Sequence, residues 1–373
     1  MILDRNALQR SILSTVVLSL FFPQAGTATP YDHGDPTPYE QLMLELLNRA
    51  RANPGAEATR LGIDLNEGLN PGTIEDSPKP PLAFHPYLIQ SARAHSGWML
   101  DFNIFSHTGA GGSDAGDRME DAGYFFLYPW AWGENIAWGG TTGVPDVEAY
   151  TVSRHEGLFI SPGHRKNICN ANFDEVGLGV LTGQFSTSQN TYNAVMATQN
   201  FARSDWTPGP LLLGVVFTDL DGDNFYDPGE GAAGVTVSAE SGDYDAVTSS
   251  SGGYAFPFPA GSGSISVVFS GGPLPSARYR TINRTGENIK LDLDLAEVRT
   301  VGFVPGSLRW SQNPGFSAQV TGTPGTSFQL QHSTDMQTWT TVQQPTLQDP
   351  LMSVSHLPED PGGPHFYRLV WVE

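Results

Sequence analysis

The chain has 373 residues, of which 39% are apolar and 16% charged, a composition typical of folded domains. This length predicts two or three domains. The formal net charge of −20 would repel nucleic acid and anionic lipid, so we exclude nucleic-acid binding. The single cysteine, Cys169, excludes an internal disulfide, and we expect a small buried residue there and not a nucleophile.

An apolar run near the N-terminus predicts export. Arg5 and Arg10 precede the run Ile12–Phe22, and small residues up to Ala28 suit a cleavage site. Such a run is too short to cross a bilayer comfortably, so residues 1–28 are interpreted as a signal peptide, with an uncleaved anchor as the alternative. Since no later segment is apolar enough to span a membrane, we expect a secreted, extracellular or cell-surface protein.

Helical patterns come next in the chain and are followed by strand patterns. A capping box at Thr37–Glu40 opens a helix with apolar residues at helical spacing, which Asn53-Pro54 should end. A second helix is expected from about Pro86 to Leu100, and alternating strands near 176–180 and 195–201. Helices gathered around a few antiparallel strands predict an α+β layered domain.

Two histidines and a glutamate stand in distinctive local patterns of this region. His107 lies in Phe105-Ser-His-Thr-Gly109, and Glu134 lies near the start of the predicted strand Gly133–Ala137. His164 follows Ser161-Pro162, where serine suits the helix cap and proline the first helical position. A helix N-terminus disfavours a protonated histidine, so we expect His164 to be neutral.

These patterns resemble the bacterial CAP (SCP-like) superfamily, relatives of the cysteine-rich secretory and pathogenesis-related proteins. The likeness covers Tyr39 to Phe201 and includes these further segments: Leu47–Arg51, Ala94–Ser96, Arg118 with Ala122–Tyr124, and Glu175–Gly179. The resemblance implies a CAP domain at residues 37–205, built as an α-β-α sandwich with an open cleft. In the family, two histidines and two glutamates meet there and can hold a divalent cation.

The candidate cleft cluster is therefore His107, Glu134, Glu156 and His164. Three of these match the family pattern directly, whereas Glu156 is chosen as the second glutamate over the competing His155 and Glu148. Imidazole and carboxylate ligands suit zinc or another divalent cation. The alternative is a hydrogen-bonded polar network that only holds loops on the sheet.

Two functions are compatible with such a cleft, and enzyme status stays open. The favoured one is binding of a ligand or metal, the partner being an unknown extracellular ligand, lipid, glycan or protein. The alternative is a metal-dependent hydrolase of peptides or cell-wall material, which lacks an obvious nucleophile and a Gly-x-Ser-x-Gly elbow. We interpret His95 as a bonded core residue, and Trp130, Trp132 and Trp138 as a structural cleft wall, with a ligand-stacking platform as the alternative.

After the linker Trp206–Pro210, β-branched runs separated by turn residues predict a β-sandwich at residues 210–298. Its acidic loop places carboxylates at positions 1, 3, 5, 9 and 12, namely Asp219, Asp221, Asp223, Asp227 and Glu230. One short loop with this spacing can supply most calcium ligands, although a solvated acidic turn is the alternative. Strand-like flanks argue against an EF-hand. The segment resembles SdrD B-like (Cna-B-like, prealbumin-like) modules, which implies calcium binding and a spacer role.

A second β block at residues 300–373 resembles a short C-terminal β-sandwich of exported bacterial proteins. Trp339 and Tyr367 are expected to be core aromatic residues, with an exposed glycan-gripping row as the alternative. The chain as a whole is predicted to be α+β, a CAP domain followed by two small all-β sandwiches.

Overall fold

The structure is a computed structural model that describes residues 28–295, 301–311, 315–323, 326–360 and 364–372. The predicted signal peptide lies outside these residues, apart from residue 28. Within the described ranges, no helix is both long and apolar enough to cross a membrane.

The first domain is a four-stranded sheet with helices on both faces. Its helices are α1 Pro38–Ala52, α2 Pro54–Arg60, α3 Pro86–Phe102, α4 Ala115–Asp121, α5 Val147–Ile160 and α6 Pro162–Ile168. The two-residue strand β1 Thr29–Pro30 pairs with a sheet of the second domain. The strands of the first domain are β2 Ala83–Phe84, β3 Ala131–Thr141, β4 Glu175–Ser186 and β5 Thr191–Arg203. The strand order is β2-β4-β5-β3, with β2 parallel to β4 and the other pairs antiparallel.

Two apolar layers hold the helices to this sheet. On one face, Leu47 and Phe159 from α1 and α5 pack in a cluster with Val195 of β5. On the other, Met99 of α3 packs with Met196. Helix α3 approaches β4 so closely that a Cβ added at Gly177 would lie 1.8 Å from a backbone carbon of α3. The predicted mixed helix-and-strand class is confirmed.

Helix boundaries follow the capping signals in the sequence, with one exception. Thr37 and Glu40 form the predicted capping box: the Glu40 amide donates to Thr37 Oγ1, and the Thr37 amide donates to Glu40 Oε2. Asn53 ends α1 as expected. At α6, Ser161 and Pro162 occupy the expected cap and first helical positions, but the Ser161 side chain makes no capping hydrogen bond.

The second domain is built from two sheets. Its remaining strands are β6 Leu211–Phe217, β7 Val235–Ala239, β8 Tyr244–Val247, β9 Gly253–Pro257, β10 Gly263–Gly271, β11 Arg278–Arg284, β12 Ile289–Lys290 and β13 Leu293–Asp294. One sheet has the order β1-β8-β7-β10-β11, and in the other β6 pairs with β9, β12 and β13. Phe256 and Phe269, both fully buried, lie in the core between them.

The first two domains share a buried interface. Leu42 and Leu46 of α1 form an apolar cluster with Val215, Phe217 and Tyr226 of the second domain. Beside it, the Lys290 ammonium lies 2.7 Å from the buried Glu45 carboxylate. Burial raises the pKa of Glu45, and Lys290 opposes this shift. The second domain is therefore docked on the first and does not hang from a free linker.

An N-terminal strap crosses the same interface. The strap is residues 28–36, which lie outside the boundaries expected for both domains. Thr29 and Pro30 pair in parallel with Tyr244 and Asp245 of β8. Further along, His33 is buried with its Nε2 3.1 Å from the Val247 carbonyl oxygen. The strap then leads directly into α1 of the first domain.

The third domain contains the strands β14 Val301–Phe303, β15 Arg309–Trp310, β16 Phe316–Gly322, β17 Ser327–Ser333, β18 Thr340–Gln343, β19 Leu351–His356 and β20 Phe366–Val372. They form two antiparallel sheets around a core that includes Phe328. Tyr367 stacks on Phe316 at 3.8 Å, as a core aromatic residue should. Trp339 instead lies half-buried at the surface under the Arg368 guanidinium, at 4.2 Å, so its predicted core position was wrong.

Candidate functional site

Glu134 is the centre of the candidate site. It lies on β3, opposite Asn200 of β5, and only 3% of its side chain is exposed. His107 Nδ1 donates to Glu134 Oε1 at 2.8 Å, and Arg118 Nη2 donates to Oε2 at 2.5 Å. His95 Nε2 is 3.9 Å from the same Oε2 atom. Both carboxylate oxygens are thus engaged by cationic or ionisable donors.

Arg118 also fixes the loop that carries His107. Its Nη1 atom donates to the His107 carbonyl at 3.1 Å and to the Ser113 carbonyl at 3.0 Å. A planar guanidinium with several donors suits such a junction between a loop and a carboxylate. Because the His107 side chain is 56% exposed, it is the member of the group most accessible to a ligand.

His164 lies in the first turn of α6, close enough to His107 for electrostatic coupling. Burial lowers the pKa of His164, and the neighbouring His107 lowers it further. The direction agrees with the expected neutral state, although burial is the main cause and not the helix terminus. His164 Nδ1 is buried without a hydrogen-bond partner among the described residues.

A network of side-chain amides aligns Glu134 with His164. Asn135 Nδ2 lies 3.3 Å from the His164 carbonyl and 3.0 Å from Gln199 Oε1. Asn167 Nδ2 donates to the Glu134 carbonyl at 3.2 Å and to Asn135 Oδ1 at 2.9 Å. The backbone positions of both candidate residues therefore depend on the side-chain amides of Asn135 on β3 and Asn167 on α6.

Sequence reasoning missed the roles of Arg118 and His95. Arg118 was noted only as part of a matching pattern, and His95 only as a bonded core residue. His95 is indeed buried, with Nε2 3.0 Å from the Ser106 carbonyl, but it also lies next to Glu134. No local signal shows this, because the two residues come from α3 and from β3.

Glu156 does not lie with the other candidates, and its assignment to the cleft was wrong. Its carboxylate accepts from Arg60 Nη1 at 2.7 Å, in a group that joins α5 to α2. The competing His155 is buried beside Glu57, with 3.2 Å between Nε2 and Oε1. Glu148 is exposed and raises the pKa of Asp227, which places it near the acidic loop of the second domain.

The cleft does not fit a divalent cation in this arrangement. The permanently charged Arg118 guanidinium lies beside the Glu134 carboxylate, which would have to bind the metal. Among the described residues, three or more metal-type ligand atoms lie within 4.8 Å of one another only in the acidic loop 219–230. His107 and Glu134 are joined by a hydrogen bond, and His164 lies close enough to His107 to be affected by its charge.

A cavity of about 370 Å³ opens beside this cluster. Its wall is formed by residues of α3, α4 and the loop between them: Gln90, Ser91, Ala94, His95, Trp98, Ala110, Ser113, Arg118, Asp121 and Ala122. The His95 and Trp98 rings are stacked, with centroids 5.7 Å apart. Within the part of the chain that the structure describes, the buried atoms His95 Nδ1 and Arg118 Nε have no hydrogen-bond partner. The cavity thus combines a largely apolar wall with the exposed polar side chains of Gln90 and Asp121.

The acidic loop gathers all five predicted carboxylates. Ligand atoms of Asp219, Asp221 and Asp223 lie within 4.8 Å of one another, as do those of Asp221, Asp227 and Glu230. The pKa of Asp227 is raised to about 6, by burial first and then by repulsion from Glu148 and the other loop carboxylates. Crowded carboxylates of this kind are relieved by a bound cation.

The fold and the cluster around Glu134 define the class of the first domain. Residues 44–201 match the model of the cysteine-rich secretory protein family, CAP. They therefore form a CAP domain, as the resemblance implied.

The relatives are bacterial. YkwD of Bacillus subtilis (strain 168), described as an uncharacterized protein, is 34% identical over 152 residues, which are 40% of this chain and 46% of YkwD. An extracellular SCP-domain protein of Bacillus anthracis str. Ames is 26% identical at a TM-score of 0.28, over 44% of this chain and 40% of that one. An outer surface protein of Borrelia burgdorferi is 15% identical at a TM-score of 0.26, over 48% of this chain and 98% of that one. The chain thus spans less than half the length of the first two.

Proposed function

We propose that this chain is an exported CAP-domain protein that binds a small ligand in the cleft around Glu134. The observation that carries the proposal is the cavity of about 370 Å³ lined by His95 and Arg118, the two residues that lie against Glu134 Oε2. Pockets of this size with an apolar wall and a few fixed polar groups are typical ligand sites. The exposed Gln90 amide and Asp121 carboxylate on the cavity wall would orient hydroxyl or amide groups of the ligand.

Hydrolysis is the weaker alternative for the same cleft. A general base must reach water or substrate, whereas only 3% of the Glu134 side chain is exposed and its carboxylate is paired with Arg118. Metal-assisted hydrolysis would further require Arg118 to leave the carboxylate. Ligand binding requires neither change.

Binding can be tested with the neutral fluorescent probe N-phenyl-1-naphthylamine on the full chain. We expect saturable fluorescence that is lost in Ala94→Trp, which fills the cavity, and kept in Ala149→Trp on the exposed face of α5. Equal binding by both variants, or no saturable binding, would contradict the proposal. Turnover of a peptide and ester panel that disappears in Glu134→Gln but not in His332→Ala would establish the hydrolase instead.

We also propose that the acidic loop of the second domain binds calcium, in keeping with its SdrD B-like sequence pattern. Support comes from the two groups of close carboxylates that share Asp221. Millimolar calcium should raise the melting temperature of the full chain, and Asp221→Asn should remove most of this increase. Asp349→Asn, an exposed aspartate of the third domain, is the matched control. An unchanged transition in the native chain would refute calcium binding.

Export is proposed from the N-terminal sequence. Residues 1–28 would be removed, leaving Thr29 as the first residue of the mature protein at the start of the strap. N-terminal sequencing of protein recovered from the culture medium or cell surface tests this. Intact residues 1–28 on recovered protein would favour the uncleaved anchor.

A further inference from the structure

Exposed aromatic rings cluster on the connection between α4 and β3. Residues 122–133 contain no charged side chain and run Ala-Gly-Tyr-Phe-Phe-Leu-Tyr-Pro-Trp-Ala-Trp-Gly. Tyr128 is 83% exposed and Trp130 50%, and the nearby Trp206 is 66% exposed. With Phe125 and Trp132, which are also exposed, these rings form what we call the aromatic platform. Large exposed apolar patches of this kind mark binding surfaces.

The backbone under the aromatic platform is held firmly. The buried Ser204 hydroxyl accepts from the Leu127 amide at 2.9 Å and donates to the Phe125 carbonyl at 2.7 Å. The Asp205 amide donates to the Leu127 carbonyl at 3.1 Å. Because the rings are displayed on an anchored backbone, a ligand would not have to order the loop on binding.

Ring contacts fix the side chains as well. Phe125 and Trp206 meet edge to face with centroids 5.3 Å apart, and Trp130 packs against Phe126 at 5.5 Å. Such contacts restrain each ring while leaving part of it open to solvent. These pairs explain how large aromatic residues stay exposed in defined positions.

The aromatic platform leads towards the cleft. Trp132 and Glu134 are two residues apart on β3, so they lie on the same face of the strand, about 7 Å apart along it. An extended ligand on the platform would therefore run towards the cluster of His107 and Glu134. The expectation that Trp130 and Trp132 are only a structural wall does not account for their exposure.

Negative charge around the aromatic platform determines which class of ligand can bind there. The exposed carboxylates Glu120, Asp121 and Asp205 flank it, and the nearby Arg203 is paired with Asp174 at 3.3 Å. Together with the net charge of −20, this border repels anionic lipid surfaces. Sugars suit it better, because their C–H faces pack on aromatic rings and their hydroxyls donate to carboxylates.

We propose that the aromatic platform binds an uncharged polysaccharide. This proposal goes beyond the proposed function, because the platform is a separate surface and does not require the cleft to bind. Glu134→Gln separates the two ideas: polysaccharide binding kept in this variant supports the platform whatever the cleft does.

The test is affinity electrophoresis of the full chain in native gels that contain laminarin, xylan or hydroxyethylcellulose. We expect retardation by at least one of them. Tyr128→Ala, Trp130→Ala and Trp206→Ala should each weaken it about tenfold, because each loses one ring contact. Trp130→Phe and Trp206→Phe should keep most binding. Tyr279→Ala, which removes a ring that is 66% exposed on β11, should change nothing.

Three outcomes would overturn the proposal. The first is no retardation by any of these polysaccharides, and the second is equal retardation of the platform variants and Tyr279→Ala. The third is binding to phosphatidylcholine vesicles, but not to polysaccharide, that is lost in the platform variants. That result would identify the platform as a membrane contact.

Discussion

At the scale of single residues, Arg118 determines what the CAP cleft can do. Its guanidinium holds the Glu134 carboxylate at 2.5 Å and also fixes the His107 loop. Only 12% of the Arg118 side chain is exposed, so water screens this pair little. Arg118 thereby competes with any cation for Glu134.

Arg118→Gln should raise the affinity of the cleft for zinc about tenfold or more, because it removes a positive charge beside Glu134. The measurement is competition against a fluorescent zinc chelator. Arg154→Gln is the control, since Arg154 bonds the Trp138 carbonyl elsewhere in the same domain. Equal zinc affinity in the native chain and in Arg118→Gln would show that Arg118 does not oppose metal binding at Glu134.

Glu175 should make stability fall as pH rises. Burial raises its pKa from 4.5 to about 7, although Tyr124 and Thr207 donate to it. The folded chain therefore binds a proton more tightly than the unfolded chain, and stability is lost between about pH 4.5 and 7.

Glu175→Gln should remove that loss and stabilise the chain above pH 7 by roughly 3 kcal/mol. Urea unfolding at pH 5 and pH 8 measures the difference between variant and native chain. A difference that is the same at both pH values would contradict the assignment. Glu67→Gln, at an exposed position, is the control.

At the scale of elements, helix α1 depends on a cap and helix α6 does not. Thr37→Ala should cost about 1 kcal/mol of unfolding free energy, because the Glu40 amide loses its acceptor. Ser161→Ala should cost close to nothing, since Ser161 makes no capping bond. Urea unfolding of both variants tests this pair, and a larger loss in Ser161→Ala would contradict it.

Helices with a capping residue and apolar residues at helical spacing could be predicted from the sequence. Helices α1 and α3 have proline in the first turn and a regular apolar face, and both were expected. Helix α5 was not, because its buried face includes Thr151 and His155, whose polar groups bond within the domain.

The same helix explains the error at Glu156. Successive helical residues differ by about 100° in direction, so the residue beside buried His155 points elsewhere, towards Arg60. His107, Glu134 and His164 could be found because each lies in a local pattern. Arg118 could not, because its partners come from other elements.

At the scale of the molecule, the first two domains depend on each other. Lys290→Ala should leave Glu45 as a buried carboxylate without a cation, at a cost of about 3 kcal/mol. Adding Glu45→Gln should recover much of this loss, because no charge then remains buried. Lys166→Ala, at an exposed position of α6, is the control in thermal unfolding. A double variant as unstable as Lys290→Ala alone would argue against the pair.

Thr29 of the strap pairs with Tyr244 of the second domain. The peptide linker after β5 is therefore only one of the connections between the first two domains. A protease that cuts within Trp206–Pro210 would leave two chains that still share a β-ladder, the apolar cluster and the Glu45–Lys290 pair. Such a nicked protein should elute from gel filtration as one species and separate only in denaturant. The connecting peptide is dispensable for cohesion once the chain has folded, so cleavage there would leave the assembled unit intact.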